Sequence, residues 1–211
     1  MNNGGETVYG NWTVSIVKYA KLVLNDENST EVEKTLVKDI LSYVRSAYVY
    51  FECANAQSVK SQIDAVIGEN YDSTSLPTDM EAAEVGGGFD SATFRLDAKP
   101  SFIFYPETDA EGNLVYDNAA YRFTQNGKTL EKEIGTVDGR TYIKISTYAY
   151  EIADNISYSI DGTEISGEFN IKAYYEFAKT QNDEALVSIV ERLWKYSQSA
   201  KAYKLEATAN S

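Results

Sequence analysis

The sequence contains no histidine, one cysteine and only three prolines in 211 residues. The absence of histidine excludes Ser-His-Asp and Cys-His catalysis as well as histidine-ligated zinc. The single cysteine, Cys53, excludes an intramolecular disulfide, and we interpret it as a packed, unreactive thiol in a predicted helix over Tyr48–Ala56. No apolar run approaches the roughly 20 residues that a membrane-spanning helix needs.

Positive charge is also scarce, since 32 acidic residues outnumber 19 basic ones and the formal net charge is −13. This average field repels phosphate backbones and anionic membrane surfaces. We therefore predict no nucleic-acid partner and no membrane insertion, whereas neutral ligands such as glycans remain compatible with the charge. The chain is rich in tyrosine, with 17 residues, and its hydrophobic fraction of 43% is sufficient for a packed core.

An internal repeat organises the two ends of the chain. The segment Ile40–Tyr50 matches Leu193–Tyr203, and further upstream Gly10–Val14 matches Gly167–Ile171. Each copy is predicted to run through a turn, a short helix, an acidic loop and a long helix.

Polar caps predict where the two long helices start. Thr30 and Glu33 have the spacing of a capping box, and Asn182 or Asp183 can cap the second long helix.

Between the two copies the apolar period changes to two, which is typical of strands. Asn126-Gly127, Asp138-Gly139 and Asp161-Gly162 are residue pairs that suit the positive φ angles of tight hairpins. We therefore predict an α+β fold: an antiparallel β-sandwich or meander with helical hairpins at both ends packed against it. The predicted strands are Thr93–Asp97, Ser101–Tyr105, Leu114–Thr124, Lys128–Gly135, Thr141–Tyr148 and Ile156–Ile160.

These elements predict four segments packed as one compact module. An N-terminal helical segment (1–70) leads through a polar connection (71–88) to the β-meander (89–168), and a helical hairpin (169–211) follows. The connection ends on Gly86-Gly87-Gly88, which we interpret as a flexible joint because no Lys-Ser and no helix start follow it. Residues 1–5 lack the features of a signal peptide and predict the start of an excised fragment.

Several segments together resemble a known type of module. They are Phe102–Tyr105, Tyr121–Phe123, Tyr142–Ile145, Ala149–Ile156 and Phe169–Ala178, followed by Tyr196–Ala200. The combination is similar to poorly characterised repeat modules in large secreted or cell-surface proteins of anaerobic Gram-positive gut bacteria. Such proteins often carry dockerins, glycosidases or carbohydrate-binding modules, including components of starch-adherence systems. The resemblance implies an extracellular location and a starch-like ligand, and it carries no catalytic residue.

Alternation along the strands indicates one candidate ligand-binding surface. If the outward side chains share one sheet face, Tyr105, Arg122, Tyr142 and Tyr148 form an aromatic and polar platform. Tyrosines suit sugar recognition, because each offers a flat apolar face and a hydroxyl group. The alternative interpretation is that helices cover this face and the tyrosines belong to an amphipathic core.

Two other chemistries are weaker hypotheses. The oxygen-rich loop Asp109–Asn113 is compatible with calcium, but it lacks the spacing of an EF-hand, and a solvated hairpin turn is the favoured interpretation. We predict no metal and no cofactor. Paired carboxylates allow glycoside hydrolysis without histidine, and Glu151 and Asp154 are the nearest candidates, although nothing places them in a cleft.

The sequence as a whole predicts a non-catalytic module, secreted or on the cell surface, that binds a glycan such as a starch-like polysaccharide or mediates adhesion through exposed tyrosines. Its predicted partners are this glycan and the neighbouring domains of the parent chain. The alternative is a structural spacer or protein-interaction module that binds no sugar.

Overall fold

A computed structural model describes residues 6–71, 76–77, 80–84, 86–96 and 99–209, with the backbone alone for 6–15 and Leu96. Within this part of the chain, five α-helices and eight β-strands form two compact units, Met1–Leu76 with Gln181–Ser211 and Pro77–Thr180. The predicted start of a fragment at residues 1–5 lies outside the described residues. None of the described helices is long and apolar enough to span a bilayer.

The first unit is helical. Helix α2 (Glu31–Tyr50) packs against α1 (Glu6–Asn25) and α3 (Ala56–Ile67). It also packs against α5 (Glu184–Ala209), which follows it by more than a hundred residues. Leu41 on α2, Ile63 on α3 and Val190 on α5 are completely buried. The remaining helix among the described residues, α4 (Ile171–Thr180), belongs to the second unit.

The predicted helix starts are confirmed. Thr30 Oγ1 accepts a hydrogen bond from the Glu33 N–H at 3.2 Å, and the Glu33 carboxylate accepts one from the Thr30 N–H at 2.9 Å, which is the capping box. Asp183 Oδ1 accepts hydrogen bonds from the N–H groups of Ala185 and Leu186, both at 3.0 Å, and so caps α5.

The prediction of a helix over Tyr48–Ala56 is wrong, because α2 ends at Tyr50. Glu52 adopts a positive φ of 48°, and the Cys53 N–H then donates to the Tyr48 carbonyl at 3.2 Å. This left-handed residue ends the helix. Cys53 is a half-buried free thiol in the turn between α2 and α3.

The two copies of the repeat share their long helices but differ upstream. The matching segments Ile40–Tyr50 and Leu193–Tyr203 lie on α2 and α5, which pack against each other. Gly10–Val14 is helical within α1, whereas its counterpart Gly167–Ile171 forms the end of a strand and the start of α4. Pairing with a neighbouring strand therefore overrides local preference in the second copy.

The second unit contains two four-stranded antiparallel sheets. The prediction of an α+β fold with antiparallel strands is confirmed. The chain crosses from one sheet to the other after the second, the fourth and the sixth strand, so the strands form a sandwich and not a simple meander. The first sheet has the order β1 (Phe89–Leu96), β2 (Pro100–Pro106), β6 (Arg140–Ser146), β5 (Lys132–Val137), and the second has β4 (Lys128–Thr129), β3 (Tyr121–Gln125), β7 (Ile156–Ile160), β8 (Ser166–Phe169).

Aromatic rings fill the space between the two sheets. The ring centroid of Phe104 on β2 lies 5.2 Å from Phe123 on β3 and 5.4 Å from Phe169 on β8. Phe102 lies 5.4 Å from Phe169. All four side chains are buried. Sheet-to-sheet contact through large apolar side chains is the arrangement of a β-sandwich core.

Three predicted strands run past the observed ones, and the first of them, Thr141–Tyr148, stops at Ser146. Leu114–Thr124 is a strand only from Tyr121, because Asp117 Oδ1 accepts the Ala119 N–H at 2.8 Å and opens a 3-10 turn over Asn118–Ala120. Lys128–Gly135 breaks after Thr129, where the chain changes sheet. The strand Ser166–Phe169 was not expected from the sequence.

The interpretation of the triple glycine as a flexible joint is wrong. The Gly88 carbonyl accepts a hydrogen bond from the Tyr121 hydroxyl at 2.7 Å, and Gly88 has a φ of 94°. A Cβ on Gly86 would collide with the Ser166 carbonyl. These two glycines allow the backbone to lie close to the sandwich and to adopt a left-handed conformation.

The boundaries of the two compact units differ from the boundaries of the four predicted segments. The sequence predicts α4 and α5 as one C-terminal hairpin, but α4 belongs to the sandwich unit and α5 to the helical unit. The domain ranges 1–70, 71–88, 89–168 and 169–211 stay predictions.

Candidate functional site

The outer face of the first sheet carries two of the predicted site residues. Phe104 on β2 pairs with Ile143 on β6, and both side chains are buried between the sheets. Because side chains alternate along a strand, the next residues, Tyr105 and Tyr142, lie side by side on the opposite, outer face. Both are half-buried. The predicted alternation of these two strands is confirmed.

Tyr142 is held against the backbone of the neighbouring strand. Its strand partner on β5 is Gly135, and a Cβ on this glycine would collide with the hydroxyl oxygen and Cζ of Tyr142. The phenol therefore lies across Gly135, an arrangement in which an aromatic ring covers a glycine in a sheet. The position of the ring is fixed by the sheet itself.

Arg140 lies over the ring of Tyr105. Its guanidinium carbon is 4.6 Å from the ring centroid, within the range of a cation–π contact. Arg140 follows the tight turn Asp138-Gly139, whose φ angles are 48° and 77°, so the predicted hairpin turn places it at the start of β6. We call Tyr105, Arg140 and Tyr142 the tyrosine strip.

The remainder of this outer face is less accessible. Ile103 also points outward, since it lies between Phe102 and Phe104, but only 1% of it is exposed. Lys144 lies 3.4 Å from the Glu133 carboxylate on β5. The tyrosine strip is therefore the aromatic part of the face that is open to a ligand.

Arg122 does not join this strip. It lies on β3 in the second sheet, where its neighbours Tyr121 and Phe123 are buried, as predicted. Its side chain is 54% exposed, pairs with Asp161 and donates a hydrogen bond to the Ala119 carbonyl at 2.8 Å. Arg122 therefore does not lie on one face with Tyr105 and Tyr142, and the predicted platform does not form. The outer faces of the two sheets lie on opposite sides of the sandwich.

Tyr148 lies beyond the end of β6, which stops at Ser146. It is exposed, and its ring stacks on Tyr150 with 5.2 Å between the centroids and 4° between the planes. The Lys99 ammonium lies 5.7 Å from the Tyr148 ring centroid. The Tyr150 ring thus covers one face of the Tyr148 ring. A sugar could stack on less of the Tyr148 ring than the exposed fraction of this residue indicates.

The loop at Asp109 is organised as a turn. Asp109 Oδ1 accepts hydrogen bonds from the N–H groups of Asn113 at 2.8 Å and Glu111 at 3.0 Å. These bonds, led by the one from Asn113, hold the pKa of Asp109 below its ordinary value. In the described part of the chain, no group of three or more Cys, Asp or Glu side chains is arranged to hold a metal ion.

Glu151 and Asp154 are tied into a turn next to β3. Gln125 Nε2 donates to their backbone carbonyls at 2.9 Å and 3.1 Å, and Asn126 Nδ2 donates to Asp154 Oδ2 at 3.0 Å. Gln125 is itself buried. These contacts give the segment a structural role in holding the β3–β4 hairpin.

Arg140 is the functional candidate that the sequence prediction missed. The signal was present, because residue 140 follows a predicted Asp-Gly turn and has the same strand parity as Tyr142. The contact of Arg140 with Tyr105 requires that β2 and β6 are neighbours in the sheet. The sequence of neither strand alone predicts this pairing.

Comparisons of this chain with protein-family models, with curated proteins and with solved structures find no match. The family resemblance noted from the sequence stays a prediction, and the functional argument depends on the geometry of the chain itself.

Proposed function

We propose that this chain is a non-catalytic extracellular module that binds a glycan through the tyrosine strip. The observation that carries the proposal is the phenol of Tyr142, which the sheet holds across Gly135. An aromatic ring that is already immobilised loses little entropy on meeting a sugar ring, and the phenol hydroxyls supply hydrogen bonds. The resemblance implies a starch-like polysaccharide as the ligand and a secreted or cell-surface location.

Removal of the Tyr142 ring tests this proposal. We expect Tyr142→Ala to weaken binding by roughly tenfold or more, as truncation of an aromatic anchor does. Tyr142→Phe retains the ring and isolates the contribution of the hydroxyl. The measurement is retardation in native gels that contain one of a panel of soluble polysaccharides, starch included.

Tyr148→Ala is the matched control, because it removes a more exposed tyrosine outside the strip. Circular dichroism melting of each variant separates a lost contact from a lost fold, since Tyr142 also covers Gly135. Equal losses for Tyr142→Ala and Tyr148→Ala would contradict a site at the strip. Release of reducing sugar from any polysaccharide would contradict the non-catalytic part of the proposal.

A structural spacer is the second candidate function, and the helical unit contains the observation that favours it. After α3 the chain is fixed by Arg45, whose guanidinium donates to the carbonyls of Gly68 at 3.3 Å, Glu69 at 3.2 Å and Tyr71 at 2.7 Å. A segment held in this way suits an element that keeps neighbouring domains apart. Unretarded migration of the wild type across the whole panel would favour the spacer.

A further inference from the structure

The outer face of the first sheet differs in charge from the chain as a whole. Three cations, Arg95, Arg140 and Lys144, lie on this face with Glu133, and two more carboxylates, Asp90 and Asp138, lie at its edge. The face is thus close to neutral in a protein of net charge −13. At physiological ionic strength, charges more than about 8 Å away are largely screened, so these local groups determine what a bound ligand experiences.

Arg140 has hydrogen-bonding capacity to offer a ligand. Its side chain is 55% exposed, and its Nη2 lies 3.5 Å from Asp90 Oδ2. That distance is longer than the roughly 2.7–2.9 Å of a strong charge-assisted hydrogen bond. Asp90 Oδ2 also accepts the Thr108 hydroxyl at 3.1 Å. The guanidinium has five donors and no acceptor, so whatever it binds must present acceptors.

The contact with Tyr105 holds the guanidinium over β2, whereas the Tyr142 ring lies over Gly135 on β5, so a ligand that meets both groups must cross β6. A planar guanidinium matches the two oxygens of a carboxylate, whereas the hydroxyl groups of a neutral sugar form weaker, uncharged hydrogen bonds. Stacking on Tyr105 also holds Arg140 in place before a ligand arrives.

We infer that the tyrosine strip takes a carboxylated polysaccharide, one built from uronic acid residues, with Arg140 binding the carboxylate and Tyr142 contacting the sugar ring. This inference rests on the proposed glycan binding and differs from the neutral starch-like ligand that the resemblance implies. Charge complementarity at Arg140 is the feature that separates the two ligand classes.

The test compares one polymer in two charge states. Native gels contain either polygalacturonate or the same polymer with its carboxylates methyl-esterified, with soluble starch as a neutral reference and a chelator to prevent calcium bridging. We expect polygalacturonate to retard the wild type, and the ester and starch to retard it much less. Arg140→Ala should weaken binding of polygalacturonate by roughly tenfold or more, and Arg140→Lys should restore only part of it.

Arg122→Ala is the matched control. Arg122 has nearly the same side-chain exposure, 54% against 55%, and also pairs with an aspartate, but it lies on the other sheet. It should bind polygalacturonate as the wild type does, and an equal loss in both variants would show a bulk charge effect and overturn the inference. Retardation by starch but not by polygalacturonate would overturn it and leave glycan binding intact. Absence of retardation by all three polymers would overturn both.

Discussion

Asn170 uses every hydrogen-bonding position of its side-chain amide, although only 3% of the residue is exposed. Its Oδ1 accepts from the N–H groups of Ala173 at 2.8 Å and Ala83 at 3.2 Å. Its Nδ2 donates to Asn155 Oδ1 at 2.9 Å and to the Glu81 carbonyl at 3.1 Å. One side chain therefore caps α4 and fastens the segment that precedes β1.

We expect Asn170→Ala to lower the free energy of unfolding by about 3 kcal/mol, because it removes a helix cap and leaves buried donors and acceptors without a partner. Urea denaturation measures this value. Asn113→Ala is the control, since the amide of Asn113 is exposed and bonds to Asp109 within its own turn. A loss for Asn170→Ala no larger than for the control would contradict the assigned role.

At the scale of elements, the packing of α2 against α5 encloses a carboxylate. Asp39 on α2 is 2% exposed, accepts the Tyr71 hydroxyl at 2.7 Å and lies 3.7 Å from Lys195 Nζ on α5. Burial raises the pKa of Asp39, and the hydrogen bond from Tyr71 offsets part of this effect. The folded protein therefore holds this proton more tightly than the unfolded chain does.

When the pKa of an acid is higher in the folded state than in the unfolded state, the acid contributes its full stabilisation at a pH below the unfolded pKa, about 3.9 for Asp. This stabilisation declines as the pH rises toward the folded pKa. Asp39→Asn cannot ionise. We expect the free energy of unfolding of the wild type, relative to this variant, to increase as the pH falls from 7 to 4. Urea denaturation at several pH values measures this difference.

Asp26→Asn is the control, because its effect on stability should change with pH in the opposite direction. The backbone N–H of Asn28 holds the pKa of Asp26 below its ordinary value, so the wild type should lose stability relative to this variant as the pH falls. Slopes of the same sign for both pairs would contradict the assignment for Asp39.

The elements that could be predicted are those whose signals are local. Thr30 and Glu33 identify a helix start within four residues, and Asp138-Gly139 identifies a hairpin within two. The pairing of strands is not local: β2 lies beside β6, so Tyr105 and Tyr142 meet, whereas Arg122 lies on the other sheet. The same limit explains Gly86, since a glycine required by close approach to Ser166 is identical in sequence to one in a flexible linker.

At the scale of the whole molecule, one compact unit is continuous in sequence and the other is not. Pro77–Thr180 contains the eight strands of the described residues, α4 and the aromatic core, whereas the helical unit combines 1–76 with 181–211. A continuous segment of about 100 residues with its own core has the size of an independently folding domain.

We expect a fragment of residues 77–180 to fold alone, with dispersed amide resonances and a single cooperative thermal transition. The fragment 1–76 is the comparison, and it should melt without cooperativity because α2 lacks its partner α5. A non-cooperative melt of the fragment 77–180 would show that the sandwich depends on the helical unit.

The contact between α2 and α5 has a consequence for biosynthesis. A ribosome makes α1, α2 and α3 before the sandwich and α5 after it. At a translation rate of about 5–20 residues per second, α2 waits roughly 7–27 s for the start of the helix that covers it. During this interval the apolar face of α2 is open to solvent, and the intervening segment has time to fold before α2 and α5 come together.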